Sequence, residues 1–340
     1  MQVLINGFGR IGRTLLRQIL ASNATNTRAD SQISIVGIND IAPLETCSYL
    51  FQYDSVFAPY PGKVEHTANA LIVDGRSIPF TAQPDISNID LSTVDIVLEC
   101  TGKASTRDVA ERGLKAGAHQ VLISGPSAAA DTTVVLGANE ANLGDARIVS
   151  NASCTTNAIA PLLKALDAQM GIEHAHITTI HCYTGSQPTV DAPRASLERS
   201  RAAAVSMVPT STSAASQVTH VLPNMADKLS VAAVRVPTIS VSAIDATLQL
   251  KQTHTGPFND LLQEMFHSSR LIGLTEDPCV SSDLRARPES LILSLRETMN
   301  IGARQVRLFG WYDNEWGFSA RMLEMARLMV SRQKANNHKD

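Results

Sequence analysis

A glycine-rich turn near the start of the chain constrains its fold more than any other feature. Residues 2–6 form a short apolar run, and residues 7–12 fit the spacing G-x-G-x-x-G. The apolar positions that follow recur every three and four residues to about residue 21, which predicts an amphipathic helix. A second apolar run, 33–38, ends next to Asp40. This order of strand, glycine turn, helix, strand and acidic residue predicts a parallel βαβ unit that binds a dinucleotide.

Each residue type in the turn has a physical role. Gly7 permits the tight turn, Gly9 lets a pyrophosphate approach the backbone, and Gly12 lets the helix and the strand pack closely. The N-terminus of the helix then faces the phosphates. Asp40 can accept hydrogen bonds from both hydroxyls of the adenosine ribose and would repel a 2′-phosphate, which favours NAD over NADP. The polar stretch 22–31 is interpreted as a loop that lengthens the usual interval before Asp40.

Further apolar runs predict that the parallel sheet continues. Strands are expected at 94–100, 120–123, 134–136 and 148–149, and a helix at 105–116. In open α/β sheets, ligands bind beyond the carboxyl ends of the strands. Thr101 and Ser124 follow two such ends, so they are candidates to flank the nicotinamide ribose.

A cysteine between two hydroxyl residues stands out in the segment 150–157, which reads SNASCTTN. Cys154 lies between a strand-like run, 146–149, and an amphipathic helical pattern. A thiol at the N-terminus of a helix has the positive end of the helix dipole and unpaired N–H groups beside it, and both favour the thiolate. The sequence therefore predicts a nucleophile, and the alternative is a buried structural cysteine.

A partner for this cysteine follows the β-branched run 177–180, which predicts a strand. His181 ends that run and is a candidate base or cationic partner, which a cysteine nucleophile needs at neutral pH. The stretch 182–209 is polar and turn-rich, and a loop of that length is uncommon unless it is functional. Arg235 lies inside another apolar run, 231–241, where its charge needs a partner. That partner is either an anionic ligand, such as phosphate, or an internal salt bridge.

Composition narrows the possible partners and the compartment. With 340 residues the chain is long enough for two domains, and its net charge of −3 gives no reason to expect nucleic acid or an acidic membrane. No apolar stretch approaches the length of a transmembrane helix, and no signal peptide pattern is present. The five cysteines are scattered and lack the spacing of a metal site, so no metal is expected. This cysteine usage suits a reducing compartment, and a cytoplasmic location is expected.

Taken together, the motifs closely resemble the phosphorylating glyceraldehyde-3-phosphate dehydrogenase family, which includes its relative erythrose-4-phosphate dehydrogenase. They occur in the family's order over nearly the whole chain: INGFGRIGR at 5–13, IND at 38–40, SNASCTTN at 150–157, TTIH at 178–181, RVPT at 235–238 and WYDNEWGFS at 311–319. The motifs around Cys154 and in the last of these segments are highly specific.

The resemblance implies a mechanism with Cys154 and His181 as catalytic residues. The thiolate attacks an aldehyde to give a thiohemiacetal, while His181 lowers the pKa of the thiol and acts as general base. The backbone N–H of Cys154 and the His181 side chain stabilise the oxyanion. A hydride passes to NAD⁺, and inorganic phosphate attacks the resulting thioester to release an acyl phosphate.

The resemblance also implies the binding residues. Thr184 and Arg235 resemble the pair that holds the phosphate of the substrate, a phosphorylated aldose. The positions that hold the attacking phosphate are matched by Ser153, Thr155, Arg199, Thr212 and Ser213. Besides the three glycines, the cofactor contacts are matched by Arg10, Ile11, Asp40, Thr101, Ser124 and Asn314, of which Asn314 would fix the nicotinamide carboxamide.

The implied fold is an α/β architecture: a Rossmann dinucleotide-binding domain plus an α+β catalytic domain with a largely antiparallel sheet. The first domain is expected to span 1–153 and to be completed by a C-terminal helix at 319–334. The catalytic domain is expected at 154–318. The family pattern also implies a homotetramer.

Three other functions compete with the leading one. In erythrose-4-phosphate dehydrogenase, water attacks the thioester and 4-phosphoerythronate is released. A semialdehyde dehydrogenase shares a dinucleotide domain and a catalytic cysteine, but two anion sites built on Arg199 and Arg235 argue against it. A paralogue that only binds NAD is suggested by departures from the family pattern, such as Gln83 in place of an arginine and Ser213 in place of a glycine. The intact Cys154–His181 pair argues against such a paralogue.

Overall fold

The computed structural model describes residues 1–25 and 32–337 and divides the chain into two compact units. The first unit consists of Met1–Val134, Glu140–Ala152 and Ser319–Asp340, and the second of Val135–Asn139 and Ser153–Phe318. Ser153 thus lies in the second unit, one residue before the boundary expected from the sequence. The short segment 135–139 also belongs there, although the sequence pattern assigns it to the first.

The first part of the chain alternates strands with helices. Its elements are β1 (Gln2–Asn6), α1 (Arg10–Thr25), β2 (Ser34–Asn39), α2 (Leu44–Gln52), β3 (Val64–His66), β4 (Ala70–Val73), β5 (Arg76–Thr81), β6 (Ile96–Glu99), α3 (Arg107–Ala110), α4 (Arg112–Lys115), β7 (Gln120–Ile123), β8 (Thr132–Thr133) and β9 (Ile148–Ser150).

These strands form one sheet in the order β3-β4-β5-β2-β1-β6-β7-β9-β8 within the described residues. Neighbours from β5 to β8 pair in parallel, and the edge formed by β3, β4 and β5 is antiparallel. The central strands are apolar on both faces because helices cover a parallel sheet from both sides. Leu15, Leu16 and Ile19 of α1 are fully buried. The parallel order brings the carboxyl ends of β1, β2 and β6 to one edge, where a ligand binds in such sheets.

The second part of the chain is built around long antiparallel strands. Its elements are α5 (Cys154–Met170), β10 (Ile172–Cys182), β11 (Val208–Thr210), α6 (Ala214–Val221), β12 (Leu229–Val236), β13 (Ser242–Leu250), α7 (Phe258–Phe266), β14 (Ile272–Thr275), β15 (Leu291–Ser294), β16 (Met299–Ile301), β17 (Gln305–Tyr312) and α8 (Trp316–Asn337). Single turns of 3₁₀ helix occur at Ile86–Asn88, Glu140–Leu143, Glu198–Ser200, Pro223–Met225, Ser281–Leu284 and Leu295–Glu297.

The second sheet has the order β11-β12-β10-β13-β17-β15-β14, with β16 paired to β17. Most neighbours are antiparallel, while β10 with β12 and β14 with β15 are parallel. In the parallel pair, His181 at the end of β10 lies opposite Arg235 of β12. The predicted fold class, a Rossmann domain with a largely antiparallel second sheet, is therefore confirmed.

Several predicted elements differ in detail from the structure. The helix expected at 105–116 is two short helices, because Glu111 has φ −91° and ψ 0° and breaks the helical path. The strand expected at 134–136 lies instead at Thr132–Thr133. The long strand expected at 231–241 ends at Val236, just before a proline that cannot donate to the ladder. The helix α1 continues into the expected loop 22–31 as far as Thr25, and the rest of that loop lies outside the described residues.

No helix in the described ranges 1–25 and 32–337 is long and apolar enough to cross a membrane.

Candidate active site

The glycine turn after β1 is shaped by close backbone contacts. Gly7 has φ +95°, and a Cβ atom there would lie 2.6 Å from the carbonyl carbon of Cys100. A Cβ at Gly12 would lie 2.1 Å from the Gly7 carbonyl oxygen. A Cβ at Gly9, in contrast, would meet no atom within 4 Å, so the backbone there faces open space. Only a residue without a side chain satisfies the first two positions, and the third leaves room for a ligand.

A cavity of about 380 Å³ lies beside this turn within the first unit, and its lining includes Gly7, Gly9, Asp40 and Thr101. Asp40 accepts hydrogen bonds from the backbone N–H groups of Phe8 (2.6 Å) and Ala42 (2.8 Å). Each carboxylate oxygen has further acceptor capacity for a ribose hydroxyl. Open space opposite Gly9 and an acid at the end of β2 fit a dinucleotide.

The other residues assigned to the cofactor by sequence lie in different surroundings. Arg10 forms an ion pair with the buried Asp54 at 2.6 Å. Ile11, the next residue of α1, is half-buried. Thr101 is exposed and Ser124 is half-buried, and they follow the carboxyl ends of β6 and β7 as expected.

A buried polar network that sequence reasoning missed lies beneath the cavity. Glu99 is 3% exposed, accepts a hydrogen bond from Asn6 Nδ2 at 2.5 Å, and accepts the backbone N–H of Thr101 at 2.9 Å. The Thr101 hydroxyl donates to the same carboxylate. Asn39 in turn donates to Asn6 Oδ1 at 2.8 Å. The network ties together the ends of β1, β2 and β6, and its sequence signal is a polar residue closing each apolar strand.

Cys154 is the first residue of α5, as the sequence predicts. Ser153 caps this helix by accepting the Thr156 backbone N–H at 3.1 Å. The residue before the cap, Ala152, has φ +54°, a conformation that non-glycine residues rarely adopt and that recurs at functional sites. The Cys154 Sγ lies 3.7 Å from His181 Nε2, so the structure brings the predicted nucleophile and base together.

The electrostatics of this pair differ from the expectation that His181 lowers the pKa of the thiol. Desolvation raises the pKa of the Cys154 thiol, against the opposing charge of Arg235 and hydrogen bonds from Thr155. Burial, and after it the charge of Arg235, lower the pKa of His181 to about 4. The surroundings thus penalise each charged form, which favours the neutral thiol and the neutral imidazole.

Two neighbours of His181 Nδ1 act on its tautomer in opposite directions, the Cys182 carbonyl as an acceptor and Arg235 as a donor. The Nδ1 atom lies 2.7 Å from the Cys182 carbonyl, which can only accept. A proton on Nδ1 leaves the lone pair of Nε2 facing the thiol of Cys154. Arg235 Nη1 also donates to that carbonyl (2.8 Å) and lies 2.5 Å from Nδ1. In the described part of the chain Arg235 forms no ion pair with a carboxylate, which disfavours the internal salt bridge considered above.

Tyr312 is a further buried group beside this pair that the sequence motif did not single out. Its hydroxyl lies 3.0 Å from Thr155 Oγ1 and 2.7 Å from Thr179 Oγ1. Its ring meets the His181 ring edge-on, with centroids 5.9 Å apart. Burial raises the pKa of the Tyr312 phenol, so it remains a neutral hydrogen-bonding group. Tyr312 thus fixes one face of His181, and it also engages the hydroxyl of Thr155, a predicted phosphate contact.

Another group of predicted phosphate contacts surrounds the start of α6. Arg199 donates to Thr210 Oγ1 at 2.5 Å and to the Ser211 carbonyl at 2.9 Å. Thr212 accepts the Ala214 backbone N–H at 3.1 Å, and Ser213 is the N-cap residue of α6. The structure therefore gathers the predicted Arg199, Thr212 and Ser213 into one short stretch.

Two predicted residues occupy other places in the second unit. Thr184 follows β10 by two residues, and its hydroxyl lies 2.9 Å from that of Ser186. Asn314 is 9% exposed and accepts a hydrogen bond from the Cys182 thiol, with 3.1 Å between Oδ1 and Sγ. Burial raises the pKa of Cys182 to about 12, which keeps that thiol protonated as a donor. Within the described residues, no group of three or more His, Cys, Asp and Glu side chains could hold a metal ion.

A dinucleotide-binding sheet in one unit and a cysteine–histidine pair in the other define an NAD-dependent dehydrogenase. The family model described as "Glyceraldehyde 3-phosphate dehydrogenase, NAD binding domain" matches residues 1–107. The one described as "Glyceraldehyde 3-phosphate dehydrogenase, C-terminal domain" matches residues 153–314.

Curated relatives agree with the family models. A glyceraldehyde-3-phosphate dehydrogenase of Pseudomonas aeruginosa is 44% identical over 335 residues, which cover 97% of this chain and 98% of the relative. One from Xanthobacter flavus is also 44% identical, with the same coverage. Glyceraldehyde-3-phosphate dehydrogenase 2 of Bacillus subtilis is 36% identical over 98% of each chain. The chain belongs to the glyceraldehyde-3-phosphate dehydrogenase family, and its cofactor is NAD.

Proposed function

We propose that this chain oxidises glyceraldehyde 3-phosphate with NAD⁺ and inorganic phosphate to 1,3-bisphosphoglycerate, through a thioester on Cys154, as in glycolysis and gluconeogenesis. The observation that carries the proposal is the Cys154 thiol at the N-terminus of α5, 3.7 Å from His181 Nε2. A thiol beside a neutral imidazole is the arrangement for nucleophilic attack on a carbonyl carbon with removal of the thiol proton.

The first step moves one proton and forms one bond. Cys154 Sγ attacks the aldehyde carbon as its proton passes to the lone pair of His181 Nε2, and a thiohemiacetal oxyanion forms. Backbone N–H groups at the start of α5 and the new imidazolium stabilise this oxygen. The pKa of His181, about 4 before substrate binds, keeps the imidazole available as a base at neutral pH.

The substrate phosphate is proposed to bind Arg235 and Thr184. Arg235 Nη1 lies 2.5 Å from His181 Nδ1, and both atoms are donors when Nδ1 carries the proton. An anion that draws the guanidinium toward itself would relieve this donor-to-donor approach and strengthen the bond from Nδ1 to the Cys182 carbonyl. Substrate binding would thereby hold His181 in the tautomer that accepts the thiol proton.

The second step converts the thiohemiacetal into a thioester. NAD⁺, when bound, supplies the acceptor for the hydride that leaves the carbon. His181 gives up its proton to solvent, and the sulfur of Cys154 now carries the acyl group. An oxygen of inorganic phosphate, held by Arg199, Thr212 and Ser213 beside Ser153 and Thr155, then attacks the acyl carbon. The C–S bond breaks, the acyl phosphate leaves, and Cys154 is restored.

The cofactor contacts in the proposal are the glycine turn, Asp40 and the residues that follow the strand ends. Their support is the cavity beside Gly9 and the position of Asp40 on its wall. The remaining contacts of the proposal are Arg10, Ile11, Thr101, Ser124 and Asn314. We propose that the second unit is the catalytic domain.

Erythrose-4-phosphate dehydrogenase is not favoured by the comparisons, since the curated relatives reported above are named glyceraldehyde-3-phosphate dehydrogenases.

We also propose a homotetramer in the cytoplasm. The segment after β10 exposes large apolar side chains: Val190 is 72% exposed, Leu197 89%, Val205 80% and Met207 75%. Apolar side chains grouped on one segment favour a protein interface. Sedimentation equilibrium should give a mass about four times the 36.5 kDa of one chain, and a monomer at micromolar concentration would contradict the tetramer.

A two-substrate assay tests the proposed reaction. NADH formation is measured with glyceraldehyde 3-phosphate and with erythrose 4-phosphate, each with and without inorganic phosphate. We expect the triose phosphate to give the larger kcat/KM and a strict requirement for phosphate. Cys154→Ser should lose activity by at least about a thousandfold because the alcohol is a far weaker nucleophile.

Cys279→Ser is the matched control, since the Cys279 thiol lies away from the site beside Thr275 and is only half-buried. It should retain wild-type turnover. Preference for the tetrose phosphate with no phosphate requirement would establish the hydrolytic enzyme instead. NAD binding without turnover of either aldehyde would establish a binding protein.

A further inference from the structure

One side chain of α6 links the helix that starts at Cys154 to the proposed site of the attacking phosphate. Gln217 Oε1 accepts the Ser153 backbone N–H at 3.1 Å and the Thr156 hydroxyl at 3.1 Å. Its Nε2 donates to Ser213 Oγ at 2.5 Å. A single amide therefore connects the N-cap residue of α5 with the N-cap residue of α6.

The chemistry of these groups fixes the orientation of the amide. The Ser153 backbone N–H can only donate, so it must face the oxygen of Gln217 rather than its NH₂ group. The NH₂ group consequently faces Ser213, whose oxygen accepts. Ser213 is exposed, and its side chain does not cap a backbone N–H of the helix that follows it. Its hydroxyl proton is thus directed away from Gln217 and is available to a ligand.

The Ser153 hydroxyl, in contrast, already forms its hydrogen bonds within the protein. Its oxygen accepts the Thr156 backbone N–H and lies 2.7 Å from Thr156 Oγ1. Because the single hydroxyl proton of Thr156 goes to Gln217, the proton between the two hydroxyls must come from Ser153. The Ser153 hydroxyl therefore donates to Thr156 within the protein, whereas the Ser213 hydroxyl can donate to a ligand.

We propose that Gln217 is a positioning residue that makes Ser213 the hydroxyl donor to the attacking phosphate. The inference rests on the proposed function, since it concerns the anion that attacks the Cys154 thioester. Arg199 contacts Thr210 and Ser211, so a cation lies against the segment that carries the directed hydroxyl of Ser213. A tetrahedral oxyanion can accept hydrogen bonds from both Arg199 and Ser213. A water molecule in its place carries no charge to pair with the guanidinium.

The test separates the phosphate step from the acylation step. Gln217→Met keeps the length of the side chain but removes its hydrogen bonds, and Ser213→Ala removes the proposed donor. For each variant, the KM for inorganic phosphate is measured in steady state, and the NADH burst without phosphate is measured by stopped flow. We expect the KM for phosphate to rise about tenfold in both, the loss of one hydrogen bond to a charged group. The Gln217→Met burst should stay within about twofold of wild type.

The double variant distinguishes positioning from independent effects. If Gln217 acts through Ser213, the KM for phosphate in Gln217→Met/Ser213→Ala should equal that of Ser213→Ala alone. Thr219→Ala is the control on the same helix, because its hydroxyl bonds only to the Ser216 carbonyl. It should leave both readouts unchanged.

Three results would overturn the proposal. A wild-type enzyme that gives the NADH burst but turns over equally well without phosphate would overturn the attacking-phosphate site and this inference with it. A wild-type enzyme that requires phosphate, with an unchanged phosphate KM in Gln217→Met and Ser213→Ala, would overturn the inference alone. Fully additive effects in the double variant would also overturn it.

Discussion

At the scale of single residues, the second unit holds a reactive pair whose two members are both kept neutral. The surroundings raise the pKa of Cys154 and lower the pKa of His181 to about 4. A preformed ion pair would place two desolvated charges beside Arg235, and burial shifts both pKa values against it. The thiol proton is therefore best transferred only when the C–S bond forms, when the negative charge passes to an oxygen that backbone N–H groups can reach.

The lowered pKa of His181 makes stability depend on pH. The unfolded chain binds a proton at this histidine near pH 6.5, whereas the folded chain does so only near pH 4. The stabilising contribution is therefore fully present above pH 6.5 and is lost as the pH falls through that window toward 4. Its size is on the order of 3 kcal/mol. Urea unfolding of wild type and His181→Asn between pH 4 and 7 measures it.

The expected result is a difference in unfolding free energy between the two proteins that shrinks as the pH falls. His66→Asn, at an exposed histidine, is the control and should keep the wild-type pH dependence. A constant difference across the whole range would show that the pKa of His181 is not lowered by folding.

At the scale of elements, both halves place function at the ends of strands and the starts of helices. The glycine turn joins the end of β1 to α1, and Cys154 opens α5. His181 and Arg235 meet because β10 and β12 are parallel and in register. Helix N-termini offer unpaired N–H groups, which suit a pyrophosphate in the first unit and an oxyanion in the second.

Substitutions at Gly9 and Gly12, the last two glycines of the turn, should separate effects on folding from effects on cofactor binding. In Gly12→Ala the new methyl would lie 2.1 Å from the Gly7 carbonyl oxygen, so α1 must move away from β1. We expect a loss of about 3 kcal/mol in unfolding free energy. In Gly9→Ala the methyl meets no protein atom within 4 Å. That variant should unfold within about 0.5 kcal/mol of wild type yet bind NAD more weakly.

Chemical denaturation and calorimetric titration with NAD measure these two effects. Equal stability of Gly12→Ala and wild type would show that the close approach is not maintained. Unchanged NAD affinity in Gly9→Ala would show that the cofactor backbone does not pass over this position.

The sequence predicted elements well where a local pattern determines them. The glycine fingerprint predicted β1, α1 and β2, and the SNASCTTN segment predicted the position of Cys154 at the start of α5. No element was predicted for the edge formed by β3, β4 and β5 or for the helix α2, because short half-exposed elements have weak periodicity. The interactions of Glu99, Tyr312 and Gln217 could not be predicted, since each partner lies far along the chain and is brought near only by the tertiary fold.

At the scale of the whole molecule, the chemistry is divided between two units with separate sheets. The first unit presents the glycine turn and Asp40 for a dinucleotide, and the second presents a thiol, a base and two arginines for an aldehyde and anions. The proposed reaction needs both sets, because the first is proposed to bind the hydride acceptor and the second to supply the nucleophile. The family relationship over 97% of the chain is in accord with this division.

In the proposed reaction Cys154 carries the acyl group, and mass spectrometry of the trapped enzyme tests this directly. The full chain is mixed with NAD⁺ and glyceraldehyde 3-phosphate without inorganic phosphate, quenched in acid, and analysed by intact-mass and peptide mass spectrometry. We expect a burst of about one NADH per chain and an equal amount of 3-phosphoglyceryl adduct on Cys154, which disappears when phosphate is added before the quench. An NADH burst with no adduct on Cys154, or an adduct on another residue, would contradict it.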